Sequence, residues 1–171
     1  MKLFVTAAAF ALVSGLPAFA AGDAEAGAKI FNKCQTCHVV VNEAGETLAG
    51  KNAKTGPNLY GVIGRVAGSY EGFKYGAGIE LLTAAGYVWT EEDIAIYVQD
   101  PTKFLDERTT DPKAKSKMAF KLKNEQEAAD VAAFLATFAT PAAAAVEGAA
   151  VEGAADPAAA PAEGEAAPAT E

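Results

Sequence analysis

Histidine occurs once in this 171-residue chain, at His38, and cysteine and methionine occur twice each. Two cysteines cannot build a disulfide-dense scaffold. Two cysteines and one histidine also fall short of the four ligands of a structural zinc site. No apolar run reaches the ~18–20 residues that span a bilayer. Bases are few: 14 Lys and Arg stand against 22 Asp and Glu, a formal net charge of −8. The basic footprint of a general nucleic-acid binder is therefore missing. Runs of alternating strand residues are missing as well.

The two ends read as segments outside the fold. Lys2 is the only base in residues 1–20, and a mostly apolar stretch follows it at residues 3–16. Pro17 breaks that stretch, and Ala18-Phe19-Ala20 offers small residues for cleavage after Ala20. Residues 1–20 therefore read as a secretory leader, which places the mature protein in a bacterial periplasm or an equivalent compartment. An uncleaved membrane anchor is the alternative, for which the apolar stretch is short. Residues 140–171 are almost entirely Ala, Glu, Pro, Gly and Val, with the pentapeptide Val146-Glu147-Gly148-Ala149-Ala150 repeated at residues 151–155. Such a composition buries too little apolar area to offset its ordering entropy, so a solvated, disordered tail is expected. A tether or a protease-trimmed segment is the functional alternative. Its acids are Glu147, Glu152, Asp156, Glu163, Glu165 and Glu171, with no base. Residues 21–139 are left with 13 bases and 16 acids, so most of the acidity belongs to the tail.

The chemistry is concentrated in Cys34-Gln35-Thr36-Cys37-His38. This C-x-x-C-H run is the attachment sequence of c-type haem. Two thiols at this spacing can add to the two vinyl groups of one porphyrin, and the adjacent imidazole is then directed at the iron. A thioredoxin-like pair would need a βαβ pattern, which is not seen. A plain disulfide is compatible with export but leaves His38 without a role. With His38 the sole histidine, the opposite face of the iron cannot take a second imidazole from this chain. Met1 leaves with the leader, so Met118 is the one available thioether. It lies among Lys113, Lys115, Lys117, Lys121 and Lys123 without helical or strand periodicity, a setting that suits a loop ligand better than a core gap-filler.

The spacing of apolar residues predicts an all-α fold of short helices and long loops. A first helix is expected over residues 23–34, capped by Asp23. Gly27, Ile30, Phe31 and Cys34 lie on one face of it, with the glycine admitting a close neighbour. A second starts at the capping-box pattern of Thr90 and Asp93, buries Ile94, Tyr97 and Val98, and stops at Pro101. A third runs over residues 124–140, with Asn124 and Glu127 as a cap-like pair and Ala128, Val131, Leu135 and Phe138 as its stripe. A short helix near residues 78–85 is weaker. The core is small for so much loop, and a covalently held haem would supply its apolar centre.

Taken in order, Gly27-Ala28-Lys29-Ile30-Phe31, the C-x-x-C-H run, Thr55-Gly56-Pro57-Asn58-Leu59-Tyr60-Gly61 and Gly72-Phe73-Lys74-Tyr75 resemble the class I c-type cytochromes. Trp89-Thr90-Glu91-Glu92, Tyr97, Lys117-Met118-x-Phe120 and residues 130–135 extend the resemblance over residues 22–139. The match is to the long bacterial periplasmic carriers near mitochondrial cytochrome c. It implies the class I cytochrome c fold and one haem c per chain, joined by thioethers to Cys34 and Cys37. His38 and Met118 would be axial ligands, and the Pro57 carbonyl would fix the tautomer of His38. Arg65, Tyr75 and Trp89 match positions that hydrogen-bond the propionates, although Trp89 also reads as a core aromatic. Tyr97 matches the tyrosine beside the methionine. Ser116 stands where a threonine often supports a propionate. Residues 105–116 read as a long loop before Met118, and residues 45–54 as a second extension.

Two strong iron ligands leave no open coordination site, which favours one-electron transfer over oxygen or peroxide chemistry. The resemblance implies a soluble monomeric carrier, not an enzyme. It would run between a membrane cytochrome bc complex and a terminal oxidase, a photosynthetic reaction centre or another periplasmic redox enzyme. Neither stable membrane insertion nor nucleic-acid binding is expected. Lys33, Lys54, Lys103, Lys115, Lys117 and Lys121 match or lie near the exposed haem edge and would steer brief electrostatic docking. An ordinary solvated lysine face is the alternative. A sensor or enzyme whose Met118 dissociates, and a haem-free thiol protein, are the rival functions.

Overall fold

The computed structural model describes residues 21–139. The leader expected at residues 1–20 and the tail expected at residues 140–171 both lie outside the described residues. Among the described residues, five α-helices and one small hairpin occur in the order α1 (Ala24–Ile30), β1 (Val40–Val41), β2 (Thr47–Ala49), α2 (Ala77–Ala84), α3 (Glu91–Gln99), α4 (Pro101–Thr109) and α5 (Glu125–Ala136).

Capping chemistry sets the starts of these helices. Asp23 Oδ1 accepts the N–H groups of Glu25 and Ala26 at the head of α1. Thr90 and Asp93 form the expected reciprocal box on α3, and Asn124 Oδ1 takes the Glu127 N–H of α5. Each satisfies a donor that the first turn leaves without an intrahelical partner. Helix α1 is shorter than expected, because its last turn tightens into a 3₁₀ segment at Phe31–Lys33.

Pro101 is where the sequence reading and the structure part. It does stop α3, but it is also the first residue of α4, where its missing N–H costs nothing and its fixed φ suits a helix. Asp100 ends one helix and caps the next through the Lys103 N–H. The stretch read as loop over residues 105–116 is therefore helical as far as Thr109, and α4 closes on Thr110 in the left-handed region at φ 53°. The antiparallel pair β1–β2 was also missed, because two- and three-residue strands are too short to show alternation.

The first and last helices meet at a glycine. A Cβ on Gly27 would collide with the Asp130 carbonyl oxygen and with Phe134, so only glycine lets α1 lie this close to α5. Asp130, almost fully buried, accepts the Asp23 N–H at 2.8 Å and the Gln126 amide at 2.8 Å. Lys33 reaches Glu127 at 2.7 Å on the surface above. Phe31 packs on Phe134 with ring centroids 5.5 Å apart.

A second cluster joins α3 and α4 to the segment before them. Trp89, Tyr97 and Phe104 contact one another at 5.1–5.6 Å between centroids, with Tyr87 against Trp89 at 5.9 Å. At its edge, buried Asp93 takes an ion pair from Arg108 at 3.1 Å and a hydrogen bond from the Thr90 hydroxyl at 2.9 Å. The Tyr87 phenol is pushed up to about 12 by burial first and then by its hydrogen bond and charge interaction with Asp93.

Two outcomes are expected. Gly27→Ala should lower stability by about 1–3 kcal/mol, the range for overpacking a tight contact, read from the denaturant midpoint. The raised Tyr87 phenol means that the unfolded chain loses its proton first as pH rises. Its contribution is therefore complete below the ordinary tyrosine range and fades as pH climbs towards 12. Tyr87→Phe should flatten that part of the stability–pH curve, and an unchanged slope would refute the assignment.

Candidate functional site

The cysteine pair sits on a helical turn that follows α1. The N–H groups of Cys37 and His38 both donate to the Cys34 carbonyl, each at 3.0 Å, and Cys34 N–H donates to Phe31 at 2.8 Å. Packing of Phe31 against α5 thereby fixes where both sulfurs lie. Both cysteines are half-buried, and they form no disulfide with each other. Cys34 is pushed up to about 11 by burial and by Cys37, with Lys33 opposing, so it is protonated at neutral pH. Addition of a thiol across a vinyl group consumes that S–H and yields a thioether.

His38 is held by the segment at residues 55–61. Its Nδ1 lies 2.9 Å from the Pro57 carbonyl oxygen. A carbonyl only accepts, so Nδ1 carries the proton and Nε2 keeps its lone pair. Burial lowers the pKa of His38, and the Pro57 hydrogen bond only partly opposes this, so the ring is neutral at pH 7. Among the described residues, Nε2 makes no hydrogen bond. Gly56 lies against the ring, and a Cβ there would collide with the imidazole.

Asn58 bolts this segment in place, a role the sequence reading did not assign. Its Oδ1 accepts the Val41 and Tyr60 N–H groups, both at 3.0 Å, and its Nδ2 donates to the Val41 carbonyl at 2.7 Å. An Asn after a Pro two residues beyond a ring-contacting glycine carries no periodic signal. Only the folded path of β1 shows its use.

Met118 lies in a loop, half-buried, as the polar sequence around it implied. Ser116 Oγ accepts the Met118 N–H at 3.0 Å and shares a hydrogen bond with the Tyr97 hydroxyl at 3.0 Å. Burial raises the pKa of Tyr97, with Ser116 opposing, so the phenol stays neutral. Lys117 reaches across to the carbonyls of Lys74 and Tyr75, at 3.1 and 2.6 Å. Met118, Ser116 and Tyr97 thus form one hydrogen-bonded group, and Lys117 links it to Tyr75.

The residues matched to the propionates occupy different settings. Arg65 donates to the Tyr60 carbonyl at 2.8 Å and the Asn58 carbonyl at 2.9 Å, which leaves three of its five N–H groups. Burial lowers its pKa. Trp89 is 6% exposed and lies in the aromatic cluster with Tyr97 and Phe104. The remaining N–H groups of Arg65, the neutral imidazole nitrogen, the thioether and the two thiols together suit a haem with propionate groups. An open cleft of about 960 Å³ adjoins the segment at residues 55–61, with Lys54, Gly56, Asn58, Arg65 and Tyr70 among its lining.

Of the candidate docking lysines, Lys33, Lys103, Lys115 and Lys121 are ion-paired with Glu127, Glu107, Asp106 and Asp100. Lys117 is committed to the two carbonyls. Lys54 makes no ion pair among the described residues. Phe120, beside Met118, is 41% exposed.

Comparison with known proteins agrees with this arrangement. Residues 24–139 match the family model for cytochrome c. Cytochrome c2 of Cereibacter sphaeroides is 59% identical over 138 residues, covering 79% of this chain and 95% of that protein. Cytochrome c-550 of Paracoccus versutus is 49% identical over 156 residues, covering 88% and 99%. The crystal structure of cytochrome c2 from Rhodobacter sphaeroides superposes with a TM-score of 0.68 at 58% identity, covering 70% of this chain and 99% of that one. The chain belongs to the cytochrome c family and is a class I c-type cytochrome. It is an electron carrier with covalently attached haem c, not an enzyme.

Gly56→Val should displace the imidazole that the glycine admits. The expected result is haem-bearing protein with an altered ferric spectrum, or none recovered. A normal spectrum would show that the backbone there can shift.

Proposed function

We propose that this cytochrome shuttles single electrons in the periplasm. It would run between a membrane cytochrome bc complex and a terminal oxidase, a photosynthetic reaction centre or another periplasmic redox enzyme. Cys34 and Cys37 would hold the haem, and His38 and Met118 would supply the protein ligands to its iron. The observation that carries this reading is His38, whose Nδ1 donates to the Pro57 carbonyl while, among the described residues, its Nε2 makes no hydrogen bond. The haem supplies a one-electron iron couple. The protein residues keep the ligand set unchanged between the two oxidation states, which keeps reorganisation small. A thioether opposite an imidazole raises the reduction potential, and burial of the haem adds to this.

Arg65, Tyr75, Trp89 and Ser116 serve the propionate side, and Tyr97 supports the methionine loop. The exposed lysines, with Phe120 among them, form the docking face. Four of these lysines already have carboxylate neighbours, so the face offers local dipoles as well as free charge. Lys117 contributes least, being tied inward. The proposed leader at residues 1–20 delivers residues 21–139 to the periplasm.

The test is the visible spectrum of periplasmically matured protein, oxidised and then reduced with dithionite. A sharp ferrous α band and the weak far-red band of sulfur on ferric iron are expected. Met118→Ala should keep the first and lose the second. A wild-type spectrum without the far-red band would refute Met118 ligation. Electron-transfer rates with a purified bc complex should fall as salt rises. Rates independent of salt would refute the lysine docking face.

A further inference from the structure

The loop over residues 110–124 carries Met118 without a helix or strand of its own. What fixes the methionine must therefore come from outside that loop. Before Met118, Ser116 meets the Tyr97 hydroxyl at 3.0 Å, and its N–H reaches Thr102 Oγ1 at 3.4 Å. After Met118, Leu122 N–H donates to the Val98 carbonyl at 2.8 Å, and Lys121 Nζ meets Asp100 Oδ2 at 2.6 Å. Tyr97 and Val98 belong to α3, Thr102 belongs to α4, and Asp100 is the joint. The corner between the two helices is the platform on which the loop is fastened at both sides of its sulfur.

Asp100 differs from the other fastenings in being fixed before the loop arrives. Its other oxygen, Oδ1, accepts the Lys103 N–H at 3.2 Å, and Pro101 follows it with a locked φ. An exposed ion pair usually contributes little, because two long side chains must be ordered together. Here the carboxylate is already held by its capping bond, and only Lys121 has ordering left to lose.

We propose that Asp100 is a positioning residue for Met118: its carboxylate anchors Lys121 and so holds the outgoing arm of the ligand loop on the α3–α4 corner. This inference rests on the reading of Met118 as the sulfur ligand. Without the anchor the arm lifts more readily, and an external ligand competes better with the methionine.

The experiment is a titration of the ferric holoprotein with imidazole, following loss of the far-red band. Asp100→Asn keeps a capping side chain and removes the charge; Lys121→Gln removes the partner. Each should tighten imidazole binding about two- to fivefold, the scale of an exposed ion pair. The double variant should go no further than either single one. Lys121→Arg should bind imidazole like the wild type. Glu107→Gln, which opens the exposed Lys103–Glu107 pair on α4, should also leave binding unchanged. The two single variants change net charge in opposite directions, so a shared shift cannot come from long-range charge.

Absence of the far-red band in the wild type would overturn Met118 ligation and this inference with it. A normal band with wild-type imidazole affinity in Asp100→Asn and Lys121→Gln would overturn the inference alone. An equal shift in Glu107→Gln would also overturn it, by showing general loosening.

Discussion

The hydrogen bond between His38 Nδ1 and the Pro57 carbonyl is the contact on which the site depends. It fixes the tautomer, and with it which nitrogen keeps its lone pair. It also demands that the backbone of residues 55–58 pass directly over the ring, which only a glycine at position 56 allows. That path is secured by Asn58, which holds the segment to β1. The cysteine turn approaches from the other side, set by Phe31 against α5. One imidazole orientation thus draws on α1, α5, β1 and the loop between β2 and α2.

The opposite side of the site is built on another plan. Met118 lies in no regular element, and its loop is tied to the α3–α4 corner mainly by polar side chains. Tyr97 and Ser116 form the inner part of this support, and Lys117, Lys121 and Asp100 the outer part. Polar ties of this kind are individually weak and open locally at little cost. The histidine side combines its hydrogen bonds with the packing of Phe31 on α5, so the two residues differ in how each is held.

Much of this was legible in the sequence, for identifiable reasons. C-x-x-C-H, a single histidine and a single mature methionine are discrete signals that need no periodicity. The caps at Asp23, Thr90 and Asn124 stood out because each precedes a helical stripe. Helix α4 was lost because a proline was read only as a stop, when Asp100-Pro101 is also a start. Asn58 and Asp100 escaped notice because their partners are distant in sequence, and a polar residue in a loop does not announce which strand or lysine it will meet. The ion-paired state of the surface lysines was hidden likewise, since composition counts charges without showing their neighbours.

The hydrogen bond from Asp23 to Asp130 joins residues 107 apart in the chain. Closing so large a loop costs conformational entropy. The turn that bears Cys34 and Cys37 hangs from Phe31, and Phe31 packs on Phe134 of α5. The place of both thiols, near one end of the described residues, is therefore set by a helix at the other end, and a chain cut short of α5 would carry them on a turn with nothing behind it.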